Sequence, residues 1–229
     1  MMKEAIAIAR KDLVLEVRSK ERFAAMVLFS LVVVLAFRFS FDLFGIHEQR
    51  LAESHFLIPP VLWATVVFAA TLGLLTVFSK EEENRCIDAL LLAPAPRSAL
   101  YVGKLISSFI PFVAIAMFVM GFLAIFFPYD FRGQYLPVAG LLVLGTFGYA
   151  ALGVTAAAVS STSRMREVLL PVIMIPIALF TIIVPSINAT SDVLNSDAAG
   201  ALGEVRVIAL SCVIFVVVSM LVFDYLWEA

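Results

Sequence analysis

Charged residues are scarce in this sequence. Asp, Glu, Lys and Arg together make up 15% of its 229 residues, whereas soluble domains carry about 25%. Hydrophobic residues make up 62% and the mean hydropathy is +1.04, and these residues lie in long uninterrupted runs. This composition excludes a soluble globular protein and predicts an integral membrane protein. The polar sequence that remains is too short for an additional soluble domain.

Residue patterns that carry chemistry are also rare. The two cysteines, Cys86 and Cys212, fall in different predicted environments, so we expect neither a disulfide framework nor a metal site. A loop that cradles ATP phosphates is missing, because Gly103 and Lys104 are followed by Leu105 and lack the required upstream glycine. We therefore expect no catalytic residue on this chain, and any role driven by ATP needs a partner that hydrolyses it.

Ionisable residues avoid the middle of the apolar runs. Arg38 and Asp42 lie near the outer end of the first run, four residues apart, and can pair on one helix face. Glu167 and Asp224 lie at the ends of later runs. Carriers driven by protons or sodium usually place acids or histidines near the middle of the bilayer, so the sequence does not favour an ion-driven carrier.

Six apolar runs have the length of a membrane span. They are continuously apolar and do not alternate, which predicts helices and not the strands of a barrel. The predicted fold is therefore an all-α integral membrane protein with six transmembrane helices, at 23–44, 56–78, 104–127, 136–160, 168–185 and 207–225.

The basic residues predict the orientation. Twelve of the sixteen lie before the first span, between the second and third spans, or between the fourth and fifth. Because positive charge stays in the cytoplasm, we expect both termini to be cytoplasmic. We expect membrane lipid, and no nucleic acid, around these segments. The other four basic residues fall on the outer side: Arg38, Arg50, Arg132 and Arg206.

The first 22 residues form a separate element. Ile6, Ala9, Leu13 and Val17 recur at helical spacing between basic residues, which predicts an amphipathic helix on the cytoplasmic surface. Such a helix either anchors the chain and sets its topology or also contacts a cytoplasmic partner. The sequence leaves both interpretations open.

The polar segment 79–97 interrupts the apolar sequence after the second span. It begins with a serine and a glutamate at capping-box spacing, and Ile87, Leu90 and Leu91 then form one apolar stripe of a short helix. Two prolines end this helix. An amphipathic helix held at a membrane surface either packs on its own bundle or enters a groove of another protein.

A known family signature is similar to this region. The similarity lies in IDALLLAP at 87–94, RSA at 97–99 and GK at 103–104, which resemble the signature of the CcmB family, the membrane subunits of the ABC-type haem exporter of cytochrome c maturation. The length, the six spans and the N-terminal segment also resemble that family. Arg85 departs from the pattern, since the family usually carries glycine at that position.

The resemblance implies a six-helix fold of the ABC-2 exporter type in the bacterial inner membrane. It implies four partners, namely a separate ABC ATPase subunit that binds ATP, a haem-handling membrane subunit, a small single-span subunit and a periplasmic haem chaperone. A second membrane half would complete the exporter. Haem is then handled by the complex, and we expect no cofactor on this chain. We interpret His47 and His55, in the first outer connection, as surface residues, with axial haem ligation as the open alternative.

By this likeness, segment 79–97 contains the coupling helix that docks on the ATPase. Two other functions remain open. A permease of the ABC-2 type for a lipid or drug would have the same architecture, and a membrane scaffold that transports nothing would also lack catalytic motifs. The residues expected to form the coupling interface are Glu81, Glu82, Glu83, Ile87, Asp88, Leu90, Leu91 and Pro94.

Packing inside the membrane is predicted from small residues and prolines. The fourth span is rich in glycine and alanine, which lets helix backbones approach closely. These contacts lie either within the bundle or at an interface between subunits, and the sequence leaves both open. Pro111 and Pro176 are predicted to kink the third and fifth spans.

Overall fold

The protein folds into helices throughout the part of the chain that is described. A computed structural model describes residues 2–45, 56–78, 97–127, 131, 133–161 and 165–226. No strand occurs within these residues, which confirms the predicted all-α class. The elements are α1 (Met2–Ser19), α2 (Glu21–Leu43), α3 (Ile58–Leu75), α4 (Arg97–Phe126), α5 (Tyr135–Ser161), α6 (Arg166–Ala178), a π-helical turn (Leu179–Ile183), α7 (Val184–Leu194) and α8 (Ala198–Leu226).

Six helical stretches are long and apolar enough to cross a membrane, and the chain is a multi-pass membrane protein. The prediction of six spans is thereby confirmed. These stretches are Glu21–Leu43, Ile58–Leu75, Ser98–Phe126, Tyr135–Ser161, Glu167–Leu194 and Ala198–Phe223.

Several helices extend beyond the predicted spans. Helix α4 begins at Arg97, before the predicted start at residue 104, and its 30 residues correspond to about 45 Å. The hydrocarbon core of a bilayer is only about 30 Å thick, so part of α4 projects from it. The connection between the predicted fifth and sixth spans is also largely helical, because α7 continues the fifth span to Leu194 and α8 begins at Ala198. Hydropathy identifies the apolar part of a helix, whereas the helix itself can continue into the polar sequence on either side.

Helices α3 and α5 form the centre of the bundle. The apolar windows of these two helices are 72% and 67% buried, whereas those of α2 and α8 are each 17% buried. Side chains such as Leu28 and Val32 on α2 and Leu221 on α8 are largely exposed, as expected for surfaces that contact acyl chains. The two central helices therefore fix the positions of the others.

Small residues on α5 let neighbouring side chains reach its backbone. A β-carbon at Gly145 would overlap the ring of Trp63, and one at Gly153 would overlap Leu74. For these two glycines the close contacts predicted from the sequence lie within the chain. Gly140, on the same helix, has open space where a β-carbon would lie.

Most hydroxyl groups inside the spans bond to their own helix. The hydroxyls of Thr65, Thr146 and Ser160 donate to carbonyl oxygens four residues earlier, at 2.7, 2.6 and 2.7 Å. These bonds satisfy the hydroxyl without a partner from another helix. Side-chain hydrogen bonds between different helices are fewer among the described residues. In one of them, Trp63 Nε1 donates to Thr190 Oγ1 at 2.9 Å.

The prolines have different local effects. Helix α4 is continuous through Pro111, whereas α6 passes into the π-helical turn three residues after Pro176. A π-helical turn inserts an extra residue into the helix and changes the direction of the side chains that follow. The fifth span is therefore irregular where the sequence predicted a kink.

Candidate functional site

The predicted coupling segment lies mostly outside the described residues. Residues 79–96, which include Glu81, Ile87, Leu90 and Leu91, are not among them, and neither are His47 and His55. The predicted interface therefore stays a prediction. The structure instead describes the two ends from which this segment leaves the bundle.

Both ends of the segment are anchored in the core. Val77 and Phe78, directly before it, are each 5% exposed. After it, α4 begins at Arg97, and Ala99 and Tyr101 are fully buried. The Tyr101 ring also packs against the ring of Phe223, with 5.2 Å between centroids. The chain thus enters and leaves the segment at buried positions.

Lys104 connects these two ends. It lies two turns into α4 and is only 2% exposed. Its Nζ donates to the carbonyl oxygen of Val77 at 2.9 Å and lies 5.2 Å from the ring centroid of Phe78, within cation–π range. A buried ammonium group needs such partners because its desolvation is otherwise strongly unfavourable.

Asp12 of α1 is the counter-ion of Lys104. The carboxylate and the ammonium group are 3.0 Å apart, and Ser107 Oγ lies 3.5 Å from the same carboxylate. One buried charge thus joins α1, α4 and the end of α3. We call Asp12, Val77, Phe78, Lys104 and Ser107 the Lys104 junction.

A close backbone contact lies beside the junction. A β-carbon at Gly103 would be 2.8 Å from Ile8 and 3.0 Å from the carbonyl oxygen of Ala5. Gly103 therefore allows α1 to lie directly on α4. Both residues of the GK pair in the sequence signature thus have a structural role: Gly103 permits the close helix contact, and Lys104 forms the junction.

The connection between α1 and α2 is also defined. Lys20 has a φ of 53°, a left-handed conformation that side chains other than glycine adopt rarely. Glu16 and Arg22, on either side of it, form an ion pair at 2.9 Å with both side chains largely buried. The direction of α1 relative to the first span is thus set by local geometry as well as by the junction.

The face by which α1 packs coincides only in part with the predicted stripe, of which Ala9 is buried. Ala5, Ala9 and Asp12 face α4, whereas Ile6 is 56% exposed. Small residues face the bundle because they permit the close contact at Gly103.

The prediction that Arg38 and Asp42 pair is confirmed, since they form an ion pair on α2.

The junction was not found from the sequence. In the sequence, Lys104 stands out only as a basic residue on the cytoplasmic side and as part of the family signature at 103–104. The available signal was a lone lysine among apolar neighbours on a spanning helix, but its partners lie 27 and 92 positions away in the chain. The arrangement consists of an ion pair, hydrogen bonds and a cation–π contact, and it holds α1, α4 and the end of α3 together.

Comparison with known proteins gives one family. Residues 3–224 match the family described as CcmB protein. Heme exporter protein B from Rhodobacter capsulatus is 26% identical over 221 residues, which cover 95% of this chain and 94% of that relative. The family match includes all six spans, the segment 79–97 and both partners of the buried ion pair, and the chain belongs to the CcmB family.

Proposed function

We propose that the chain is the membrane subunit of an ABC-type haem exporter in cytochrome c biogenesis. The observation that carries the proposal is the family match over residues 3–224. It is supported by a relative named as a haem exporter protein that aligns over nearly its whole length. In this proposal the subunit lies in the bacterial inner membrane with both termini in the cytoplasm, as the basic residues favour.

The subunit couples to ATP hydrolysis through segment 79–97. A separate ATPase subunit binds and hydrolyses ATP, and the apolar stripe Ile87, Leu90 and Leu91 enters a groove on that subunit. The buried residues on either side of the segment support this role, because they fix its points of attachment beside α3 and in α4. Lys104 then carries the displacement to α1 through Asp12.

The remaining partners follow from the proposed complex. A second membrane half completes the exporter, which works with a haem-handling membrane subunit and a small single-span subunit. The complex releases haem to a periplasmic chaperone. No step of this transfer needs a ligand to haem on the present chain, and His47 and His55 have no assigned part in it.

Leu90→Asp and Leu91→Asp are expected to disrupt binding of the ATPase. Each change places a carboxylate on the apolar stripe, where the groove would have to desolvate it. Leu92→Asp is the matched control, because residue 92 lies off the stripe of the predicted helix. Co-purification of the ATPase should fall at least tenfold for the first two variants and persist for the control, with equal membrane insertion. Normal co-purification with both stripe variants would contradict the coupling role.

Deletion of the gene separates the proposed cargo from its rivals. Loss of c-type cytochromes, restored by the intact gene, is expected for a haem exporter. Intact c-type cytochromes with altered lipid or drug handling would indicate another ABC-2 permease. If a catalytically inactive ATPase subunit leaves the phenotype unchanged, the chain is a scaffold and not a transporter.

A further inference from the structure

The outward face of α1 has no part in the proposed export function. The opposite face is occupied, because Ala5 is buried and Asp12 is paired with Lys104. Outward, Ile6 and Val14 are 56% and 47% exposed. A helix with one face on the bundle and a second apolar face outside needs a further apolar environment.

A groove of about 560 Å³ lies along this outward face. One turn further along α4 from the groove, Ile110 is 46% exposed. The apolar surface therefore continues from the groove onto the helix that spans the membrane, where acyl chains lie. The apolar lining is formed by four residues of α1 and one of α4: Ile6, Ala9, Leu13, Val14 and Ile106.

The charges at this groove are all positive. Arg10 and Arg18 line it and are exposed, and no acidic residue belongs to its described lining. The acids of α1 are directed elsewhere, since Asp12 and Glu16 pair with basic residues of neighbouring helices at 3.0 and 2.9 Å and Glu4 is only partly exposed. The helix thus separates its charges, with acids toward the bundle and arginines at the groove.

We propose that this groove binds one anionic phospholipid. An acyl chain lies against the apolar lining, and Arg10 and Arg18 hold the phosphate group. Guanidinium groups bind phosphate with two parallel hydrogen bonds. The two arginines are eight residues apart, or about 12 Å along the helix, so they flank a single groove. An acidic water-soluble peptide would satisfy the arginines but not an apolar lining that continues onto a lipid-exposed helix.

The test is a lipid titration of the purified full chain by native mass spectrometry. Dioleoylphosphatidylglycerol is the anionic probe and dioleoylphosphatidylcholine the zwitterionic one. The wild-type chain is expected to bind one phosphatidylglycerol in preference to phosphatidylcholine. Arg10→Gln with Arg18→Gln should weaken phosphatidylglycerol binding about 25-fold, at about fivefold per arginine.

The control variant removes equal charge elsewhere. Lys3→Gln with Lys20→Gln changes two exposed basic residues that do not line the groove, and it should leave the affinity within twofold of wild type. Val14→Trp fills the groove with both arginines intact and should also weaken binding. The proposal is overturned by an equal loss in the control, by unchanged binding to Val14→Trp, or by equal affinity for the two lipids. It is also overturned if the arginine variant loses the ATPase subunit while its lipid binding is unchanged.

Discussion

Lys104→Met is expected to destabilise the protein by about 3 kcal/mol. Methionine keeps the length and apolar stem of lysine but removes the charge that Asp12 faces at 3.0 Å and the donor that Val77 accepts at 2.9 Å. Removing one partner of a buried ion pair typically costs about 3–5 kcal/mol. We expect the lower end because the Asp12 side chain is 14% exposed and also lies 3.1 Å from Lys11.

Lys11 supplies a matched control for this prediction. It contacts the same carboxylate, but its side chain is 46% exposed, and exposed ion pairs contribute only about 0–1 kcal/mol. Lys11→Met should therefore change the free energy of unfolding by less than about 1 kcal/mol. Equilibrium unfolding in mixed detergent micelles measures both variants. Equal effects of the two changes would show that burial of Lys104 does not set its contribution.

A second test removes the negative charge of Asp12, the partner of Lys104. If the loss in Lys104→Met comes from an unpaired Asp12, then adding Asp12→Asn should recover part of it, since the amide is neutral. The double-mutant cycle isolates the coupling between the two residues. A strictly additive double variant would assign the loss to packing around Lys104 and not to the ion pair.

Gly145→Val is expected to destabilise the bundle by about 1–3 kcal/mol through overpacking. The first atom of any side chain at this position would overlap the ring of Trp63 and approach Ser186 Oγ. Trp63 is 1% exposed and is held by its bond to Thr190, so it has little freedom to move. The substitution therefore separates α3 from α5 at the centre of the bundle.

Gly140→Val, on the same helix, is the control for that change. No atom lies within 4 Å of a β-carbon at this position, so the two variants share the helix and the substitution but differ in the space available. Unfolding in mixed micelles should be near wild type for Gly140→Val and clearly weakened for Gly145→Val. Equal behaviour would mean that the bundle adapts freely around Trp63.

The fold was largely predictable from the sequence. Apolar runs of span length leave only helices as a solution in lipid, so the class and the number of spans follow from hydropathy alone. The packed face of α1 did not follow. An apolar stripe indicates burial in a soluble protein, but in this helix Ile6 faces outward, and the residue that meets Gly103 is Ala5, which lies outside the predicted stripe.

The candidate site was predictable only in part. A local pattern proposed the coupling helix at 79–97, and the residues of its interface, such as Leu90 and Leu91, stay predictions. The Lys104 junction has no local pattern, because Asp12 and Val77 reach Lys104 only after three helices have packed. Pairings of this kind depend on tertiary structure, and a single sequence does not reveal them.

The hydroxyl groups of the spans bear on how the chain is made. Because Thr146 and Ser160 bond within α5, that helix can leave the translocation machinery and enter lipid before any neighbour has arrived. Lys104 differs, since its ammonium group bonds to Val77 and Asp12 of other segments. Both partners precede α4 in the chain, so they have been synthesised before Lys104 and are available to it when α4 inserts. Asp12, Val77 and Lys104 thus all lie in the first half of the chain, and their junction belongs to the part of the bundle that is made first.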